Sequence, residues 1–272
     1  MEAITRRTAI SFAIPSAWAL TNLLATPAWA QTAPRLPVAT AINRAGRMRA
    51  LSQRASKAYV QGALGVLSER ARDIGQTTQS LVTAGLGELT RGAPPAEVVP
   101  LLRTLEQRSQ ALLAQTSQEP RLESVGEVAR LADAMLASAE ALTQGYEKTA
   151  TQGAARVVNV AGRQRMLSQR AARTYFLLGA GQTGKDVQAQ LDETRKAFVE
   201  SLAVLQGSPV STPHIRNELE LAKAQWVFFD AALQKPPTPG SLQVVATTSE
   251  RVYEVMDNLT ALYDQVVREL FS

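Results

Sequence analysis

The chain has no cysteine and a single histidine, His214. A disulfide scaffold, thiolate chemistry, a cysteine zinc site and any triad that needs two histidines are excluded at once. Aromatic residues make up only 5% of the 272 positions, and no long window alternates polar with apolar. A β sandwich draws on both features, so packed helices are favoured over that class. Charge of one sign is also scarce: 29 Lys+Arg stand against 24 Asp+Glu, a net +5, with no dense basic run. Nucleic acid is therefore not an expected partner. Beyond the N-terminal segment no 18 consecutive residues are apolar, so no membrane span is expected there. What the sequence does have is 45% hydrophobic residues and abundant alanine, the composition of packed helices.

Residues 1–30 read as a signal peptide. Arg6 and Arg7 precede an apolar run from Ala9 to Leu24, and Ala28-Trp29-Ala30 is a small-x-small cleavage site before Gln31. Thr5-Arg6-Arg7 resembles a twin-arginine export signal. Ala9 stands where an aromatic residue is usual, so the general secretory route stays open. The expected mature protein is periplasmic, with a charge of +4 spread over 242 residues.

A repeat organises the rest. Asn43 to Tyr59 reads NRAGRMRALSQRASKAY, and Asn159 to Tyr175 reads NVAGRQRMLSQRAARTY, 116 residues later with 11 of 17 positions identical. Breakers keep the same register: Gly92 to Pro95 lies 49 residues after the first Asn, and Gly207 to Pro209 lies 48 after the second. Pro120 and Pro236 each follow by 77. Matching breakers mark matching loops. Between them the period is helical. Leu101, Leu102, Leu105, Leu112 and Leu113 form a stripe, and Val252, Met256, Leu259, Tyr263, Val266 and Leu270 step by alternating fours and threes. Each unit thus reads as four helices led by the motif. The fold expected is all-α, with a four-helix bundle over residues 31–150 and another over 151–272. No proline occurs between Pro120 and Pro209, which favours one long helix shared by the two bundles, weakest at Gly145 to Gly153.

On a helix at 100° per residue, Ala45, Gly46, Ser52 and Gln53 share one sector with Arg49 at its middle. In the second copy Ala161, Gly162, Ser168 and Gln169 surround Arg165 in the same way. Met48, Leu51, Ala55 and Tyr59 form the core side, and Asn43, Arg47 and Arg54 fall elsewhere. Small residues at this spacing allow a second helix to come close. An arginine buried there needs an anion, either a carboxylate or a bound oxyanion.

The pattern Asn-x-Ala-Gly-Arg-x-Arg-x-Leu-Ser-Gln-Arg resembles the PilJ-type sensory domain of type IV pilus chemotaxis transducers, related to the periplasmic sensor domains of nitrate- and nitrite-responsive histidine kinases. Both copies carry it, so the resemblance covers residues 38 to 270 as two tandem domains. In the nitrate sensors the domain is a four-helix bundle, and a motif arginine from each of two subunits clasps one nitrate at the dimer interface. By position those arginines resemble Arg49 and Arg165, and the anion-binding set implied is Arg49, Arg165, Gly46, Gly162, Ser52, Ser168, Gln53 and Gln169. The family's sensors follow the bundle with a second membrane span and a signalling module. Neither is read here, so the expectation is a binding module for nitrate or nitrite that acts through a separate membrane sensor or transporter. The alternative is a ligand-free helical scaffold that docks on a chemoreceptor, a pilus component or a transporter.

The remaining motifs read as structure. Arg47, Arg54, Arg163 and Arg170 are expected as solvated or capping ion pairs, and His214 as a structural residue near a helix start. Gly179 to Lys185 approaches a phosphate-binding loop, but Asp186 stands where a Ser or Thr is needed and a helix precedes it, so it reads as an interhelical loop. No acid/base pair or ligand cluster suggests catalysis, a metal or a cofactor. Two arrangements of the units follow from the helix reading. Stacked end to end, with Arg49 far from Arg165, each arginine meets its twin in a homodimer; folded side by side at Gly145 to Gly153, the two arginines share one anion within the chain. The proline-free stretch favours stacking.

Overall fold

In the computed structural model, residues 35–150 and 154–271 are described; the proposed signal peptide lies outside them. Among these residues there are eight α-helices, one 3₁₀ turn and no strand. The helices are α1 (Val38–Ala63), α2 (Ser68–Arg91), α3 (Val99–Thr116), α4 (Val125–Lys148), α5 (Ala154–Gly179), α6 (Lys185–Gln206), α7 (Pro213–Leu233) and α8 (Pro239–Phe271). The repeat thus gives four helices twice, with the motif on α1 and on α5. Breaker positions become turns in both copies. Gly65 and Gly181, which occupy matching places, adopt the left-handed φ values of 68° and 83°. Each lets the next residue's N–H reach back to close its helix, Val66 to Gln61 and Gln182 to Leu177. The phosphate-loop look-alike is the α5–α6 turn.

The long shared helix is not formed. α4 stops at Lys148, where the Thr149 hydroxyl donates to the Tyr146 carbonyl at 2.7 Å and the Ala150 N–H to Glu147. The end-to-end arrangement is overturned with it. α1 and α5 lie along each other; α2 and α4 flank α1, α6 and α8 flank α5, α3 closes on α4 and α7 on α8. The reason is visible in α1 itself. Its polar residues do not mark a solvent face, since 20 of its 26 residues are buried, among them Asn43, Arg49, Gln53, Arg54 and Lys57. Only a helix surrounded on every side buries such residues, and Asn43, Arg54 and Lys57 are answered by carboxylates of the other half, Asp264 and Glu250. Stacking would have left Asn43, Arg54 and Lys57 without the α8 carboxylates that bind them.

Within each half the core follows the sequence stripes. Leu102, Leu105 and Leu112 are buried on α3, and Val252, Met256, Leu259 and Tyr263 on α8, whereas Leu270 ends up exposed beyond the last core turn at Val267. Tyr59 and Tyr175 anchor the connections opposite them. The Tyr59 hydroxyl donates to the Glu119 carbonyl, and the Tyr175 hydroxyl is placed 3.0 Å from the Pro236 carbonyl. No helix among the described residues is long and apolar enough to cross a membrane.

Candidate functional site

Arg49 and Arg165 meet at the seam between α1 and α5, both fully buried. Their environments are reciprocal. Arg49 Nη2 donates to the side-chain and main-chain oxygens of Asn159, at 2.7 and 3.4 Å. Arg165 Nη2 donates to the same two oxygens of Asn43, at 2.9 and 3.2 Å. Each motif's arginine thus reads the other motif's asparagine, as an internal twofold would require. The remaining terminal nitrogens go to the fourth helices: Arg49 Nη1 to Glu140 on α4 and Arg165 Nη1 to Asp257 on α8, both at 2.6 Å.

The motif glycines make room for this pairing. A Cβ on Gly46 would sit 2.9 Å from Arg49 Nη2. One on Gly162 would sit 3.2 Å from Arg165 Nη2 and 3.6 Å from Arg49 Nη2, so both guanidinium groups approach one point. Burial, opposed by Glu140 and reinforced by the nearby charges of Arg165 and Arg163, holds the Arg49 pKa below its ordinary value. The other sequence-predicted residues lie on the same helices but are occupied locally. The Ser52 and Ser168 hydroxyls donate to the carbonyls of Arg49 and Arg165, one turn back. Gln53 donates to Ser52, and Gln169 to the Ser249 carbonyl on α8. Three seam atoms are buried without a partner: Gln53 Oε1, Gln169 Oε1 and Arg165 Nε.

Residues 148–253, which span α5 to α7 and the first part of α8, match the family PilJ, type IV pili methyl-accepting chemotaxis transducer N-term. The match supports a PilJ-type domain over residues 148–253. No curated protein and no solved structure matches the chain. Arg165 lies on α5, the first helix of the matched segment.

Sequence reasoning missed the partners of the seam. Arg54 is not the solvated or capping residue expected: it is buried and bidentate on Glu250 of α8, which Lys57 also engages. Arg173, which the register matches to Lys57, is bound to Asp133 of α4 in the mirror arrangement. Arg47 joins Arg165 on Asp257 at 2.7 Å, and only Arg163 is exposed. Burial would raise the Glu250 pKa, but Lys57 and Arg54 outweigh it and bring it down to about 2. A signal for these partners was present. Asp133 and Glu140 on α4, and Glu250 and Asp257 on α8, are each spaced by seven residues and match one another at an offset of 117. A heptad of carboxylates on one helix implies a basic helix alongside.

Proposed function

We propose that the protein is a periplasmic sensory module that seats one small planar oxyanion, nitrate or nitrite, between Arg49 and Arg165. The observation that carries this reading is the approach of two guanidinium groups, one from each motif helix, to a common point at the α1–α5 seam. Local charge supports it. Arg47 and Arg165 share Asp257, while Glu140 serves Arg49 and lies in the field of Arg163. Four arginines face two carboxylates, and an added anion offsets part of that surplus. Guanidinium forks match planar oxyanions in geometry. Because the anion binds both halves at once, occupancy tightens the seam, and a separate membrane sensor or transporter reads that change. The reading is non-catalytic, with export by a cleaved N-terminal signal.

A ceiling of about 1.5 kcal/mol per heavy atom gives nitrate roughly 6 kcal/mol, an affinity of tens of micromolar or weaker. At about a hundredfold excess over Kd, mass action adds about 2.7 kcal/mol to stability, or about 5–10 °C in melting midpoint for a chain of this size. Melting in millimolar nitrate, nitrite, chloride or sulfate at equal ionic strength tests this. A rise with nitrate or nitrite alone is expected, and four identical midpoints overturn the reading. The scaffold alternative is favoured by one observation: each seam arginine already has a carboxylate and two asparagine oxygens as partners. Under it the four salts act alike.

A further inference from the structure

Between α2, the end of α3 and a floor on α1, the first half of the chain has a cleft of about 630 Å³. Small residues line it, among them Ala71, Gly75 and Thr116. The register of the repeat, shifted by one residue on α3 as its buried positions require, places Val187, Leu191 and Leu233 at those positions in the second half. There Leu191 and Leu233 are buried, 2% and 4% exposed. The same helices therefore enclose a packed corner in one half and an open one in the other. Unfilled volume of this kind weakens a bundle unless something occupies it, and the cleft falls within the size range of small-molecule sites.

Its lining is polar as well as small. Arg72 on α2 and Glu119 on the α3–α4 connection stand on different walls, both exposed, and neither is ion-paired among the described residues. Gln76 and Gln79 line the α2 wall between Arg72 and the next turns. The second half has Gln188, Asp192 and Arg195 at the positions matching Arg72, Gln76 and Gln79, and Arg195 is paired there with Asp230.

We propose that this cleft is a second binding site, separate from the arginine seam, for a short zwitterionic peptide of two or three residues. Arg72 takes the terminal carboxylate in a guanidinium fork, and Glu119 takes the terminal ammonium. The carboxamides of Gln76 and Gln79 donate to and accept from peptide groups. The open space over Gly75 on the α2 wall admits the peptide's side chains. Tyr59 lines the cleft, donates to the Glu119 carbonyl and accepts from the Arg121 N–H. An occupied cleft thus bears on the helix that carries Arg49, about three turns away.

Gly75→Leu gives the direct test, because a Cβ at Gly75 meets nothing within 4 Å and leucine copies Leu191 of the second half. The probe is L-alanyl-L-leucine, compared with its N-acetylated amide, by calorimetric titration and melting of the full chain. The free dipeptide is expected to bind and to raise the melting midpoint, while the capped one does neither. Gly75→Leu should melt no lower than the parent yet bind the dipeptide at least about tenfold more weakly, and Arg72→Ala and Glu119→Ala should each weaken it to a similar degree. Arg49→Ala should keep dipeptide binding while losing any nitrate response, which separates this site from the seam. Absence of dipeptide binding up to about 10 mM, equal binding of the capped form, or undiminished binding by Gly75→Leu overturns the proposal.

Discussion

In the second half Trp226 stacks on Phe198 with ring centroids 3.7 Å apart and meets Phe229 edge-on at 5.5 Å. Aligned by their buried positions, Ser109, Val82 and Leu112 occupy those three places in the first half. There the space between α2 and α3 opens into a second, shallower cleft of about 370 Å³ beside Leu86, Ser109 and Leu113. The inner helices show the opposite trend. Arginine answers asparagine in both directions across the seam, and a fourth-helix carboxylate answers each arginine. The two halves agree on the surface where they meet and differ at their outer corners. The aromatic half acts as a packed strut, while the hollowed half offers space.

Removing what is peculiar to the strut has the largest expected effect. Trp226→Ser, which gives the second half the first half's residue, should cost about 3–5 kcal/mol in urea unfolding. A loss under about 1 kcal/mol would mean that the stack does not set the difference between the halves. Glu250→Ala should cost a similar amount, about 3–5 kcal/mol, because it leaves Arg54 and Lys57 buried without their anion. The matching change Asp133→Ala should cost less, since the Asp133 side chain is 47% exposed while that of Glu250 is 5% exposed.

Acid sharpens the same contrast. The folded pKa of Glu250 is about 2 against an ordinary 4.5. Its contribution is therefore complete above 4.5 and is lost as pH falls through that value toward 2, a loss of about 3 kcal/mol in all. Unfolding free energies measured between pH 6 and pH 3 should fall more steeply for the parent than for Glu250→Gln. Parallel slopes would contradict the assignment of Glu250 as the anion of that cluster.

How the halves differ was partly legible in the sequence, and how they meet was not. Eight helices, their grouping in fours and the loops at Gly92, Pro120, Gly207 and Pro236 follow from period and breakers, because helical stripes and turn residues act over short spans. The arrangement depends on contacts between residues more than a hundred positions apart, such as Arg49 with Asn159 and Arg165 with Asn43. A proline-free stretch says only that a helix is permitted. The burial of Asn43, Arg54 and Lys57 on one helix was equally hidden, since charged residues read as a solvent face until their carboxylates on α8 are located.

The smallest expected effects are gains in the open half. Gly75→Leu should add about 1 kcal/mol from helix propensity alone, more where the new side chain buries. Ser109→Ala should be neutral or add up to about 1 kcal/mol, because the Ser109 hydroxyl is buried with no partner. Destabilisation by both would show that the first half is already packed to its limit.

The shared seat itself is tested most directly by calorimetric titration of nitrate into the parent, Arg49→Ala and Arg165→Ala. The account predicts one nitrate per chain in the parent and none in either variant, since both guanidinium groups hold the same anion. Two nitrates per chain, or binding that survives either single substitution, would contradict it.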